Sequence, residues 1–142
     1  DAPEKILKRV PEKNIASSGL IIRYASRLEV PQYLSLSALS IYFIKPLYSK
    51  KASSPTKTAE IMGLGIPIIT NTGIGDSDRI LEDANSGILI NSFSETEYTR
   101  AIELINVLLK MDPSKIREAS RSYFSLEKGI SLYNSVYQKL KS

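Results

Sequence analysis

The sequence predicts an α/β fold with a parallel β-sheet, helices on both faces of that sheet and further helices at the C-terminus. Short aliphatic runs alternate along the chain with segments that can each hold a helix, which is typical of parallel strands joined by helical crossovers. The runs are almost continuously apolar, as strands covered on both faces are. The predicted strands, at residues 20–24, 39–44, 66–70 and 87–90, therefore indicate a Rossmann-like sheet.

Helices are predicted between these strands and before the first of them. The first predicted helix covers residues 3–10, and three more cover residues 30–37, 56–64 and 77–84. Gly65, followed by Pro67, is expected to end the third of these four helices. Asp76 or Ser77 is expected to cap the last of the four, since both side chains accept hydrogen bonds at helix N-termini.

After the last strand the pattern is wholly helical. Ser94 and Glu97 have the spacing of a capping box. The apolar residues that follow recur on one helix face: Tyr98, Ala101, Ile102, Ile105, Leu108 and Leu109. Asp112 with Pro113, and then Ser125, begin two more helices, the second with an apolar row at Ile130, Tyr133, Tyr137 and Leu140. We expect all these helices to cover the sheet.

Composition narrows the classes of function. The chain has 142 residues, 42% hydrophobic and 24% charged, so it has the size and composition of one globular domain. No apolar run approaches the roughly 20 residues of a membrane-spanning helix, and no signal peptide is recognisable, so we expect a cytoplasmic protein. The absence of cysteine and histidine excludes disulfides, thiolate metal sites and a Ser-His-Asp triad.

Charge is distributed unevenly along the chain. The net charge is +4, but residues 1–57 hold ten Lys and Arg against four Asp and Glu. Such a basic half could attract a polyanionic ligand or contact the inner face of an anionic membrane, and an ordinary solvated surface is an equal alternative. Because the lysines are dispersed, we do not expect nucleic-acid binding.

The segment from Ser54 to Glu60 has the features of an anion site. Ser54 is a natural N-cap and Pro55 fits the first helical position, so unpaired backbone N–H groups and the positive end of the helix dipole would meet just before Thr56. Lys57 would add a full positive charge, and Glu60 could accept hydrogen bonds from a sugar diol. The alternative is a plain capped helix with a Lys57–Glu60 surface ion pair.

Taken with the flanking segments EVPQYLSLSALSIYFI and NTGIGDSDRILEDANSGILI, the motif SPTKTAEIMGLGIPIIT resembles the C-terminal, donor-binding half of GT-B glycosyltransferases. The likeness runs from about Arg23 to the C-terminus and is strongest to group 1 enzymes that build bacterial surface polysaccharides. It implies a hexosyltransferase-like enzyme that takes a sugar from a nucleoside-diphosphate sugar, bound between two Rossmann-like domains, to a glycan or a lipid-linked acceptor.

The resemblance assigns residues to parts of the donor. It places the diphosphate at Ser54, Thr56 and Lys57, and the ribose at Glu60. Gly73 and Gly75 would lie beside the sugar or phosphate, and Tyr24 and Arg27 beside the base, although these last two could equally be surface residues flanking a strand end. Ala52 stands eight residues before Glu60, where many retaining members carry a further glutamate, so the resemblance leaves the donor and the stereochemistry open.

The resemblance also implies what the chain lacks. The family's donor domain begins with a strand, a helix and a second strand before the region matched here, and its acceptor site belongs to an N-terminal domain. We therefore expect residues 1–142 to form one partial, N-terminally truncated donor domain that carries no catalytic residue and binds nucleotide without turnover. A missing strand would leave a sheet edge open, through which two copies could pair as a homodimer.

No cofactor or metal is expected, because Lys57 and the helix dipole could stabilise the leaving diphosphate. The Asp76-Ser77-Asp78 sequence matches an Asp-x-Asp metal motif, but acidic residues in the first turn of a helix are common for dipole reasons. Two other classes remain alternatives, namely a fragment of a nonhydrolysing nucleotide-sugar epimerase and a non-catalytic α/β interaction module.

Overall fold

A computed structural model describes residues 3–13 and 15–141, and the chain divides into two compact units, Asp1–Gln32 and Tyr33–Ser142. The first unit contains helix α1 (Pro3–Arg9) and two short 3₁₀ turns, Pro11–Lys13 and Ser17–Gly19. Helix α2 (Val30–Ser35) spans the division between the units.

The predicted strand at residues 20–24 is wrong. These residues have no regular structure, and the side chains of Ile21 and Tyr24 are 88% and 80% exposed. A strand is stabilised by a paired neighbour and by a buried face, but this segment pairs with no strand of the described residues, and only Leu20 and Ile22 are partly buried. The apolar run alone therefore gave a false signal.

The second unit holds a parallel three-stranded sheet, which confirms the α/β class. The strands are β1 (Ser40–Ile41), β2 (Ile68–Asn71) and β3 (Gly87–Ile90), in that spatial order. In the central strand, Ile69 is paired with Ile41 on one side and with Ile88 on the other. β1 is much shorter than predicted and forms an edge of the sheet, and the homodimer through such an edge stays a prediction.

Helices enclose both faces of this sheet. They are α3 (Thr56–Gly63), α4 (Ser77–Asp83), α5 (Glu95–Glu103), α6 (Ile105–Leu108) and α7 (Pro113–Phe124). Successive residues of β2 point to opposite faces, so Ile68 packs with residues of α3, α4 and α7, whereas Ile69 packs with residues of α5 and α6. The two resulting cores hold the helices on either side of β2.

Several helix ends follow the predicted signals. Gly65, with φ of +77°, ends α3, and its N–H donates to the Met62 carbonyl. Asp112 accepts a 2.8 Å hydrogen bond from Ser114 N at the start of α7. Ser125 accepts from Lys128 N at the start of α8 (Leu126–Lys141).

The C-terminal helices differ from the prediction in two respects. The single helix expected after residue 94 is divided at Leu104 into α5 and α6, and Ile102 and Leu109 are exposed. The apolar row of α8 is also exposed, with Tyr133 at 71% and Leu140 at 76%, so α8 does not cover the sheet as expected. Helical periodicity identified this helix but not what its apolar face contacts.

None of the helices in the described residues has the length and apolar composition needed to cross a bilayer.

The start of α5 is fixed by Glu97. Ser94 Oγ accepts from Glu97 N, as a capping box requires, but the Glu97 carboxylate accepts from Asn91 N at 2.7 Å and not from the N-cap residue. The carboxylate also binds Arg100, whose Nη2 donates to the Leu89 carbonyl at 2.6 Å. These bonds, chiefly the one from Arg100, lower the pKa of Glu97 below its ordinary value.

The lowered pKa of Glu97 predicts an acid-dependent loss of stability. The ionised carboxylate contributes stability above its ordinary pKa, and this contribution is lost as the pH falls through the folded-state pKa. We expect Glu97→Gln to lower the urea midpoint at neutral pH, with the difference from the parent protein closing between about pH 5 and pH 3. Glu103→Gln, on the same helix, is the control, and an equal pH-dependent difference for that variant would contradict the prediction.

Candidate functional site

Two loops meet at the carboxyl ends of β1 and β2. The first, residues 45–55, leads into α3, and the second, residues 72–76, leads into α4. Gly75 has φ of +55°, and a Cβ at this position would overlap the carbonyl oxygen of Ser53. Gly73, with φ of +82°, instead has open space where its Cβ would be. The two loops are thus in backbone contact directly before α3, which only a glycine at position 75 permits.

The first turn of α3 is not capped by a side chain. The predicted Ser54 cap is wrong, because Pro55, expected at the first helical position, occupies the N-cap position with an extended ψ of 114°. The helix begins at Thr56, as predicted. The side chains of Ser54, Thr56 and Lys57 are exposed. The backbone N–H groups of this turn are therefore not satisfied by a side-chain cap, and helix N-termini of this kind attract anions.

Lys57 lies at the end of the sheet. Its Nζ is 5.2 Å from the centroid of the Tyr42 ring, which follows β1. The Tyr42 hydroxyl is in turn 2.6 Å from Thr58 Oγ1, so the ring is fixed against α3. Within residues 3–13 and 15–141, the Lys57–Glu60 ion pair offered as the alternative interpretation is not formed. The ammonium group is therefore held beside the first turn of α3 by an aromatic ring and not by a carboxylate.

Glu60 opens onto a groove between α3 and α7. It is exposed and lines a cavity of about 340 Å³, together with Arg117 and Arg121. α3 and α7 are also joined by a hydrogen bond of 3.4 Å from Ser120 Oγ to the Ala59 carbonyl. Ser54, Thr56 and Lys57 do not line this cavity. The structure therefore places the predicted ribose ligand one turn along α3 from the predicted diphosphate ligands, beside two arginines that sequence reasoning did not identify.

The Asp76-Ser77-Asp78 segment binds its own loop. Neither Asp76 nor Ser77 caps α4, contrary to the prediction, and Asp78 Oδ2 accepts a 2.8 Å hydrogen bond from Gly73 N. Ser77 Oγ and Asp78 Oδ1 are buried without a hydrogen-bond partner among the described residues, which reduces local stability. Among all the residues that the structure describes, no group of three or more acidic, His or Cys side chains could hold a metal ion.

Sequence reasoning missed two further features of this edge. Asn71, at the end of β2, is 4% exposed and accepts a hydrogen bond from Ile44 N through Oδ1, which extends the pairing of β1 and β2 by a side chain. The Phe43 ring packs edge-on against the Phe93 ring, with 5.8 Å between the ring centroids, and its centroid is 6.1 Å from that of Tyr98. The hydrogen bond of Asn71 has a signal in the sequence, namely a polar residue at the end of an apolar strand. The contact between Phe43 and Phe93 has none, because no local pattern relates two positions so far apart.

Tyr24 and Arg27, predicted near the base, belong to the unit Asp1–Gln32. Both are exposed, and the strand expected before them is not formed. Close to them, Glu29 accepts from Ser26 N at 2.8 Å and lies 3.8 Å from Arg23. The assignment of Tyr24 and Arg27 to a base site stays a prediction that depends on the resemblance alone.

The chain was compared with known proteins. It is 27% identical over 135 aligned residues to the human sialic acid-binding Ig-like lectin 12, with 88% of this chain and 20% of that protein covered. The chain thus spans about a fifth of the length of the curated relative it matches. Immunoglobulin-like domains are sandwiches of antiparallel sheets, whereas the sheet here is parallel, so this similarity carries no fold and no activity to this chain. No family model and no solved structure matches.

The loop contact at Gly75 predicts a large difference between two glycine substitutions. Gly73→Ala should cost about 1–2 kcal/mol, because a left-handed conformation is imposed on a residue with a Cβ. Gly75→Ala imposes the same strain and adds an overlap with Ser53, so it should cost about 1–3 kcal/mol more. Urea unfolding followed by circular dichroism measures both. Equal losses for the two variants would mean that the loops are not in contact.

Proposed function

We propose that this chain is the donor-binding half of a GT-B glycosyltransferase, which transfers a sugar from a nucleoside-diphosphate sugar to a glycan or lipid-linked acceptor. The chain by itself binds the nucleotide, and turnover needs the second domain that the resemblance implies. One observation carries the proposal: the uncapped first turn of α3 lies where two loops meet at the carboxyl edge of a parallel sheet. Ligands of open α/β sheets bind at that edge.

The diphosphate is bound by the start of α3. The backbone N–H groups of Thr56 and Lys57 and the positive end of the helix dipole attract phosphate oxygens, and no side chain competes for them. Lys57 adds a unit charge from its position above the Tyr42 ring. The same groups stabilise the negative charge that develops on the leaving diphosphate, so this step needs no metal ion.

The ribose is bound by Glu60. This carboxylate follows Lys57 by three residues, which is about 4.5 Å along the helix axis and within the size of a nucleoside diphosphate. Its exposure leaves both oxygens free to accept hydrogen bonds from the two ribose hydroxyls. Arg117 and Arg121, which line the same groove, add positive charge on the α7 side of the nucleotide.

A thermal-shift series tests the nucleotide site. UDP, GDP, ADP and CMP are each added to the full chain. At roughly 100 times its Kd, the matching nucleotide stabilises the fold by about 2.7 kcal/mol. For a chain of this size that corresponds to roughly 5–10 °C in Tm. We expect one of the four nucleotides to give this shift and the others to give much less.

Two variants and their charge-matched controls locate the site. Lys57→Ala and Glu60→Ala should each remove most of the shift, because each deletes a direct ligand. Lys110→Ala and Glu103→Ala make the same charge changes elsewhere in the second unit and should retain it. A shift that survives both site substitutions, or the absence of any shift with all four nucleotides, would contradict the proposal.

A further inference from the structure

A row of cations runs beside a row of aliphatic residues at the start of the first unit. Lys5, Arg9 and Lys13 are spaced four residues apart, and so are Ile6 and Val10. Lys5 and Arg9 lie on one face of α1, whereas Val10 and Lys13 follow the end of that helix and line the same cavity. The described cavity that they form with Ile15 has a volume of about 330 Å³. Its lining comprises three cationic and three aliphatic side chains and no acidic one.

The turn after α1 closes this cavity. The N–H groups of Lys13 and Ile15 both donate to the Val10 carbonyl, at 3.1 and 3.3 Å, so the chain folds back over the end of the helix. Val10 is 6% exposed and forms the floor, whereas Ile6 and Ile15 are 40% and 51% exposed and form its apolar sides. The site thus has an apolar floor and a positively charged rim, both built by residues of the same unit.

The positive charges of this cavity are not neutralised by ion pairs with acidic side chains of the described residues. Among the described residues, Lys5, Arg9 and Lys13 make no ion pair, although acidic residues occur at Glu4 and Glu12. Like charges four residues apart on a helix repel each other and destabilise it. A bound anion removes this repulsion, and an apolar group attached to that anion covers the exposed isoleucines.

We propose that this cavity binds the surface of an anionic phospholipid bilayer. The lipid phosphate lies among Lys5, Arg9 and Lys13, and the glycerol and upper acyl region contact Ile6 and Ile15. A free phosphate ion would use the rim and leave the apolar sides exposed. Binding of a nucleic acid would require a longer basic surface or an aromatic ring for stacking, and no aromatic side chain lines the described cavity. The proposal does not depend on the nucleotide site, whose predicted phosphate and ribose ligands lie in the other unit.

Vesicle sedimentation tests this proposal with the full chain. Vesicles of phosphatidylcholine are compared with vesicles that also contain phosphatidylglycerol, each at low and at high salt. We expect binding to the anionic vesicles only, weakening as salt is added. The triple variant Lys5→Gln, Arg9→Gln, Lys13→Gln should reduce the partition coefficient by roughly a hundredfold, since each basic residue near an anionic surface contributes about fivefold.

Controls separate this site from the general positive charge of the protein. The triple variant Lys110→Gln, Lys115→Gln, Lys128→Gln makes the same change in net charge within the second unit and should bind nearly as the parent protein does. Ile6→Ser with Ile15→Ser keeps the charge and should also weaken binding severalfold. Circular dichroism checks that each variant is folded.

Three results would overturn the proposal. They are equal losses for the two triple variants, full binding by the serine variant, and complete displacement from the vesicles by inorganic phosphate. The first would indicate general charge attraction. The second would show that the apolar contact does not contribute to binding, and the third would indicate a site for free anions.

Discussion

The structure of the second unit depends on the burial of β2 between two layers of helices. All four of its residues are at most 4% exposed, and both of its edges are paired, with β1 on one side and β3 on the other. A strand in this position must satisfy every backbone group through its neighbours and fill a core on each face. Alternation along β2 divides those cores, with Ile68 in one and Ile69 in the other. The positions of α3, α4 and α5 follow from this requirement.

The end of β2 also determines the geometry of the candidate site. Asn71 is the last residue of the strand and accepts from Ile44 N, so the chain after β1 is held beside the chain after β2 by a side-chain amide. Gly75 then brings the second loop into contact with Ser53. Ser53 lies three residues before α3, so this contact joins the second loop to the chain that enters the helix. The start of α3 is therefore tied to the loop that follows β2.

The sequence predicted the structural features that depend on local patterns, and it failed for those that contacts between distant residues determine. β3 has the predicted bounds, and Gly65, Asp112 and Ser125 mark helix ends as expected, because each acts within a few residues. Residues 20–24 form no strand, and the apolar row of α8 is exposed, because periodicity gives no information about the partner that a face needs. For the same reason the presence of Glu60, Arg117 and Arg121 along one groove could not be foreseen from positions so far apart in the chain.

The distribution of helix caps argues for a function at the carboxyl edge. α5 and α7 begin with side-chain caps from Ser94 and Asp112, whereas α3 and α4, which begin at the two loops in contact, have none. α6 also has none, but it continues directly from α5. A cap contributes about 1 kcal/mol to stability, so an uncapped helix start is a cost. At α3 the residue in the cap position is Pro55, which has no capping oxygen, although Ser53 and Ser54 directly precede it. A cap there would occupy the N–H groups of the proposed phosphate site, and we infer that its absence keeps them available.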